Sequence, residues 1–129
     1  LITVDLMSTH IARSRAMTQD LENIEYFSMS SEDFLMSGDG QIDFLYMDTG
    51  DVTPIEPTAK LHLRESEILV ENDLISDNGL ILIDDVRNIQ SKSQDPSDYG
   101  KAKYSIPYLQ ENGFEVIMNE YQVLLQRRG

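Results

Sequence analysis

The stretch GLILIDDV at 79–86 places four apolar residues directly before Asp84 and Asp85. An earlier stretch, IDFLYMD at 42–48, has the same form and ends in Asp48. Continuously apolar strands are typical of parallel sheets that are buried on both faces, because neither face then meets water. The two stretches therefore predict neighbouring strands of an α/β sheet, each followed by acidic residues.

Strand and helix patterns alternate along the rest of the chain. The predicted strands are 1–4, 24–27, 42–47, 80–83, 114–118 and 121–125. Four helices are predicted. The first begins at a Ser8 or Thr9 cap and ends near Gln19, and the second is a short turn that carries Phe34 and Leu35. The third has Leu61, Ile68 and Leu69 on one face with Glu65 outside, and the fourth begins at a Ser105 cap. The predicted connections are loops at 49–57 and 87–103 and a turn at 77–79. This order predicts one domain over 1–129, a doubly wound α/β sheet that is mostly parallel and ends in an antiparallel pair.

Composition limits the partners of this 129-residue chain. Its formal net charge is −13, which repels phosphate backbones and anionic membranes, so we expect neither nucleic acid nor a membrane as partner. Cysteine is absent, which fits a cytoplasmic protein. Arg13 and Arg15 form the one internal basic pair and are expected on a solvated helix face.

Three predicted strands end in aspartate, at the sheet edge where open α/β sheets bind ligands. Asp5 could accept hydrogen bonds from both hydroxyls of a ribose, or it could cap the following helix. Asp48, Asp84 and Asp85 could together bind Mg²⁺, which prefers oxygen ligands, or the last two could cap the next loop. His62 lies in the middle of a predicted helix and is expected to be a surface or packing residue. His10 follows the Asp5 strand and could approach a cofactor, although a structural role is favoured for it as well.

The two strand motifs are similar to those of class I S-adenosylmethionine-dependent methyltransferases, especially catechol-type or sugar O-methyltransferases that need a divalent metal. The 42–48 stretch resembles the fourth strand of that family, with Asp48 as the metal-binding aspartate. The 79–86 stretch resembles the fifth, which ends in Asp-Asn in catechol-type enzymes. Asp84 falls on that aspartate, and Asp85 replaces the asparagine, as in metal-dependent sugar O-methyltransferases.

The resemblance implies S-adenosylmethionine as cofactor, Mg²⁺ as a second one, and a small-molecule acceptor with a reactive oxygen. It places Asp48, Asp84 and Asp85 at the metal. Asp51 stands near the position of the catalytic lysine of catechol-type enzymes, so Asp48 and Asp51 are the predicted catalytic residues. The predicted cofactor-binding residues are Asp5 at the ribose and Leu6, Ser30, Ser31 and Glu32 around the adenine.

The first strand of the family and its glycine-rich loop have no counterpart in this sequence. We therefore expect the chain to be the C-terminal portion of a methyltransferase domain, inactive by itself, whose missing strand fills a central gap in the sheet. Pairing with another copy of the chain is one way to complete such a sheet. The polar loop at 87–103 is expected to cover the acceptor.

Two other functions fit the same pattern. One is a metal-independent methyltransferase that acts on nitrogen or carbon. The other is a non-catalytic module that keeps the fold for cofactor binding or assembly. Insensitivity of the activity to chelators would favour the first, and an upstream sequence without a glycine-rich turn would favour the second.

Overall fold

The computed structural model describes residues 1–86 and 98–129. The chain forms two compact units, 1–38 and 39–129. The first unit contains β1 (Ile2–Asp5), α1 (Ser8–Met17), β2 (Glu25–Ser28) and α2 (Ser31–Ser37). The second contains β3 (Ile42–Met47), α3 (Ile55–Glu71), β4 (Ile75–Ile83), a 3₁₀ turn (Gly100–Ala102), α4 (Ser105–Glu111), β5 (Phe114–Asn119) and β6 (Val123–Arg127).

The first unit is a small strand–helix–strand–helix arrangement. β1 and β2 pair in parallel, from Ile2 opposite Glu25 to Asp5 opposite Ser28. Parallel neighbours need a crossover connection, and α1 provides it. The predicted helix cap was wrong, because Met7 is the N-cap of α1 and its side chain makes no capping bond.

The second unit contains a four-stranded sheet in the order β3-β4-β6-β5. β3 and β4 are parallel, whereas β6 is antiparallel to both of its neighbours, as the predicted C-terminal pair requires. Helices α3 and α4 pack against each other. The core is apolar and fully buried in its centre, and it includes Ala59, Ile68, Leu69, Ile75, Ile81, Ile83, Ile106, Leu109, Val123 and Leu125.

β4 is longer than predicted, because the 77–79 stretch lies inside the strand instead of forming a turn. Asn78 takes a positive φ of 63°, and the pairing with β3 is irregular between Ile42 and Phe44. Asparagine tolerates this backbone conformation better than most residues. The turn-forming residues therefore produce an irregularity within a strand.

The apolar runs predicted strands that are buried on both faces, but β3 is not buried on both faces in the described part of the chain. Phe44 and Tyr46 are 55% and 48% exposed. They are two positions apart, so their side chains point to the same face of the strand. Apolarity of the sequence indicated the strand correctly, but it did not indicate how much of each face is covered.

Helix α3 also departs from the prediction. It begins at Ile55, inside the predicted 49–57 loop, and Glu65 is buried on it although we expected Glu65 outside. At the other predicted loop, residues 87–97 lie outside the described residues, while 100–102 form the 3₁₀ turn. Gly113 has a positive φ of 91° just after α4, and Ser105, the predicted cap, lies inside α4 and does not cap it.

Among the helices of the described residues, none combines the length and the apolar character needed to cross a membrane.

Candidate active site

The register of the parallel pair brings the predicted acidic residues together. Met47 lies opposite Ile83, and the main-chain N–H of Asp84 donates to the carbonyl of Met47 at 3.1 Å. Asp48 and Asp84 follow those two residues, so they leave the sheet side by side. One carboxylate oxygen from each of Asp48, Asp84 and Asp85 lies within 4.8 Å of the others. We call these three residues the acid cluster.

Hydrogen-bond donors from the protein already contact the acid cluster. The hydroxyl of Tyr46 donates to Oδ2 of Asp84, and the hydroxyl of Tyr121 donates to Oδ1 of Asp85. Oδ1 of Asp84 accepts from the side-chain amide of Gln122 at 3.0 Å and from the N–H of Asp85 at 2.8 Å. Both oxygens of Asp84 therefore have partners within the protein.

Tyr121 and Gln122 reach this edge because β6 runs antiparallel to β4. The first residue of β6, Val123, lies opposite the last residue of β4, Ile83. The N–H of Val86 donates to the carbonyl of Tyr121 at 3.1 Å, which ties the two segments together. The chain direction thus places the start of β6 where the parallel strands end.

These contacts shift the proton affinities of the cluster. Partial burial by itself would raise the pKa of Asp84, but hydrogen bonds from Tyr46, Gln122 and Asp85 and the charge of Lys101 hold that pKa below its usual value. The hydrogen bond to Asp84, followed by burial, raises the pKa of Tyr46. Asp84 is therefore ionised and Tyr46 is a neutral donor around neutral pH.

Lys101, which sequence reasoning missed, is the cation of this site. Its side chain is fully buried, with Nζ 2.8 Å from Oδ1 of Asp48 and 3.8 Å from Oδ2 of Asp85. Lysine is almost never fully buried unless it is paired. The pairing with two aspartates therefore explains how the core tolerates this side chain.

Gly100 brings Lys101 to the cluster. It has a positive φ of 52°, and a Cβ added there would lie 2.6 Å from the carbonyl oxygen of Val86. Only glycine allows this segment to lie so close to the main chain that follows Asp85. The sequence signal is a lysine between two small residues, and that pattern alone does not distinguish a buried lysine from a surface one.

Two buried polar residues of α3 fix the segment that follows Asp48. The ring Nε2 of His62 donates to the carbonyl of Thr49 at 2.7 Å, which makes Nε2 the protonated nitrogen. The hydroxyl of Thr49 donates to Glu65 at 2.8 Å. These contacts explain why Glu65 points inward, since the polar loop supplies its partner.

His62 is fully buried and acts as a structural residue. Burial lowers the pKa of His62 to about 4, and the charge of Lys101 acts in the same direction, against the opposing effects of the Thr49 hydrogen bond and Asp48. Its Nδ1 is buried with no hydrogen-bond partner among the described residues. His62 is therefore neutral at neutral pH, in agreement with the packing role that the sequence suggested.

Asp51, the predicted base, is not a member of the acid cluster. It lies in the same connection as Asp48 and is exposed. Its carbonyl oxygen accepts a hydrogen bond from the Thr58 hydroxyl at 2.7 Å. The structure thus fixes its main chain, and a role of its carboxylate stays a prediction.

The predicted ribose-binding residue lies in the first unit. Oδ1 of Asp5 accepts from the N–H of Met7 at 2.8 Å, and Oδ2 lies 3.1 Å from Nδ1 of His10. Each oxygen keeps a second lone-pair direction for another donor. Leu6 is 71% exposed beside it. An oriented carboxylate next to an exposed apolar side chain fits a nucleoside, which carries donor hydroxyls and an apolar ring face.

The other predicted cofactor residues lie at the start of α2. Ser30 is the N-cap, and its hydroxyl accepts from the N–H of Asp33 at 3.1 Å. Ser31 and Glu32 form the first turn of the helix. Ser30 therefore has a structural role of its own, and contacts of these three residues with an adenine stay predictions.

The acid cluster does not fit Mg²⁺ in the arrangement described. Mg²⁺ takes about six oxygen ligands at roughly 2.0–2.1 Å. The ammonium of Lys101 already lies against Asp48 and Asp85, and Asp84 accepts three hydrogen bonds from the protein. A metal would have to displace Lys101 from Asp48 and Asp85.

No protein-family model matches the chain, and no curated protein is detectably similar to it in sequence. Solved structures do match. N-methyltransferase NodS from Bradyrhizobium japonicum WM9 in complex with S-adenosyl-L-homocysteine has a TM-score of 0.70 at 13% identity, over 100% of this chain and 67% of that one. The S-adenosyl-L-homocysteine-bound methyltransferase PaMTH1 from Podospora anserina has a TM-score of 0.72 at 16% identity, over 99% of this chain and 60% of that one.

These likenesses confirm the predicted fold class. The chain has the Rossmann-like α/β fold of these methyltransferases, with a sheet that contains parallel and antiparallel strands. It spans 67% of the length of the NodS chain in that complex and 60% of PaMTH1. At such low identities the likeness establishes the fold and leaves the activity to be tested.

Proposed function

We propose that this protein transfers a methyl group from S-adenosylmethionine to an oxygen atom of a small molecule. The observation that carries the proposal is the set of aspartates at the last residue of β1 and directly after β3 and β4, in a chain that shares the fold of methyltransferases solved with S-adenosyl-L-homocysteine. Open α/β sheets bind ligands at this kind of position. The strongly negative net charge favours a small acceptor over nucleic acid.

On the cofactor side, the carboxylate of Asp5 accepts hydrogen bonds from the ribose hydroxyls, and Leu6 packs on the adenine. Ser30, Ser31 and Glu32 border the adenine ring. The hydrogen bonds from Met7 and His10 hold the Asp5 carboxylate in one orientation, so the side chain loses little conformational freedom on binding. When bound, S-adenosylmethionine supplies an electrophilic methyl group on a positively charged sulfur.

On the acceptor side, Asp48 is the group that meets the reacting hydroxyl. One of its oxygens is paired with Lys101, and its side chain is 45% exposed, so the carboxylate is accessible. It would accept the hydroxyl proton while the oxygen bonds to the methyl carbon and the methyl–sulfur bond breaks, with S-adenosyl-L-homocysteine as the leaving group. Asp51 is the second candidate for this proton, since it is exposed in the same connection. Orientation of the acceptor supplies much of the rate of such a transfer.

The magnesium-assisted form of this reaction stays a prediction that chelation decides. It requires Asp48 and Asp85 to exchange their contacts with Lys101 for a metal that Asp84 also binds. Activity that EDTA abolishes and Mg²⁺ restores would support this form. Activity that EDTA leaves unchanged would support a metal-independent reaction.

A metal-independent methyltransferase that acts on nitrogen is the second candidate. The contact of Lys101 with Asp48 and Asp85 favours metal independence, because a cation already lies where a metal would bind. Product analysis with paired amine and hydroxyl acceptors of the same skeleton would distinguish the two reactions.

The test of the cofactor assignment is calorimetric titration of S-adenosyl-L-homocysteine into the protein, including any upstream residues that its natural form carries. In Asp5→Asn we expect at least about tenfold weaker binding, because the ribose hydroxyls lose a charged acceptor. Asp20→Asn is the matched control, as Asp20 is exposed in the same unit and outside the site. A folded protein that binds no S-adenosyl-L-homocysteine would overturn the proposal.

A further inference from the structure

The acid cluster combines three like charges with one buried cation. Two carboxylates that share a site repel each other, so that ionising all of them is costly without a counter-charge. Lys101 supplies that charge to Asp48 and Asp85 at 2.8 and 3.8 Å. The remaining contacts come from neutral donors, namely Tyr46 and Gln122 at Asp84 and Tyr121 at Asp85.

The position of Lys101 is built into the fold. Its side chain is 0% exposed, whereas the carboxylates that it contacts are 45% and 36% exposed. Gly100, directly before it, packs against the carbonyl of Val86. On the other side, Nζ of Lys103 and the hydroxyl of Tyr104 both donate to Glu56 on α3. The segment is therefore held on both sides of Lys101, with the ammonium directed at the cluster.

We propose that Lys101 is the resident cation of the acid cluster and takes the place that a divalent metal has in metal-dependent sites. It offsets part of the negative charge of Asp48 and Asp85 and holds them in position. As far as the acceptor is concerned, this inference rests on the proposed function. It then makes Lys101 a positioning residue of a metal-independent methyl transfer.

Thermal unfolding with and without millimolar Mg²⁺ tests the inference. The wild-type chain should show the same Tm in both conditions. Lys101→Met, which keeps an apolar stem of similar length, should lower the Tm by roughly 10 °C, because breaking a buried pair leaves uncompensated carboxylates. Mg²⁺ should recover part of that loss, since the vacated position then suits a cation.

Lys103→Met is the matched control, because Lys103 is a paired lysine two positions away that contacts Glu56 outside the cluster. It should show no response to Mg²⁺. A wild-type Tm that rises with Mg²⁺, with the rise lost in Asp84→Asn, would overturn the inference in favour of a metal site. Lys101→Met with the Tm of Lys103→Met and no Mg²⁺ response would also overturn it.

If Lys101→Met does not fold, the double variant Lys101→Met/Asp48→Asn decides. Folding restored by the second change would show that the unpaired carboxylate caused the loss. Continued failure to fold would mean that the lysine is needed for packing rather than for charge, which contradicts the inference. These melts need no cofactor, so a protein that fails to bind S-adenosyl-L-homocysteine would leave their result intact.

Discussion

Two regions of this molecule carry the same sequence signal, an aspartate at the end of an apolar strand, and use it differently. At the last residue of β1, Asp5 is 39% exposed and is held by the N–H of Met7 and by His10, which is 62% exposed. After β3 and β4, the acid cluster is held by Lys101 and two tyrosine hydroxyls. The first carboxylate is paired with an exposed histidine, whereas the second group has a fully buried lysine as its counter-charge and keeps Asp48 45% exposed.

The surrounding packing explains this difference. Among the hydrophobic residues of the first unit, only Ile11 and Leu35 are buried, while the second unit has an apolar core built from α3, α4 and the four-stranded sheet. A core of that size can bury a lysine, because ion pairs with Asp48 and Asp85 offset the free-energy cost of removing its charge from water. The following predictions test how far the difference in burial controls the difference in chemistry, from the largest effect to the smallest.

Removal of core volume should affect the second unit strongly. Leu69 is 1% exposed on α3, and Leu69→Ala should lower the free energy of unfolding by about 4 kcal/mol, because the change leaves a cavity. Met17 in the first unit is 73% exposed, so Met17→Ala should change the stability by less than about 0.5 kcal/mol. Urea unfolding measures both, and equal losses would contradict the contrast in packing.

Acid should destabilise the second unit through His62. Its folded pKa of about 4 lies below the ordinary 6.5, so the unfolded chain binds more protons between those values. Stability is therefore full above pH 6.5, falls by about 3 kcal/mol as the pH drops towards 4, and then loses no more from this residue. Lys101 and Asp48 are the charged groups that act on His62, and neither changes this sign.

The control for this prediction is His62→Gln, in which the amide can still donate to Thr49 but cannot titrate. Urea unfolding across pH 4 to 7 should give a flatter profile for this variant than for the wild type. A wild-type profile that is already flat in this window would show that His62 is not buried in the neutral form.

Single hydrogen bonds should differ between the two regions. Tyr121→Phe removes a donor to Asp85 and should cost about 1–2 kcal/mol, since the bond is charge-assisted. His10→Ala removes the partner of Asp5 and should cost about 0.5 kcal/mol or less, because both side chains are exposed and water replaces the contact. Chemical unfolding at pH 7 compares them, and a larger loss for His10→Ala would reverse the contrast.

The strands and their terminal acids were predictable because both signals are local. Apolar runs such as 42–47 indicate a strand directly, and the parallel register then places Asp48 beside Asp84. The antiparallel C-terminal pair was also predicted, although β6 begins at Val123, two residues later than expected. Residues 120–122 form the connection instead, and Tyr121 in this connection reaches the cluster.

The role of Lys101 was not predictable, because it depends on a contact that no local pattern encodes. Gly100 approaches Val86 from a segment that lies beyond residues 87–97, and only the folded chain shows this approach. Glu65 was misplaced for a related reason. A charged residue on a helix normally faces water, and here a half-buried loop hydroxyl, that of Thr49, makes the inward position favourable.

The reversed direction of β6 has a practical consequence for experiments on this protein. β6 begins beside the acid cluster and runs away from it, so that Gln126 lies opposite Leu80, and Gly129 lies near the side chain of Asn78 at the other end of β4. A dye or surface tether coupled to the thiol of a Gly129→Cys variant should therefore lie far from the carboxylates. Immobilised or fluorescent forms of the chain can report ligand binding without blocking the edge where the aspartates meet.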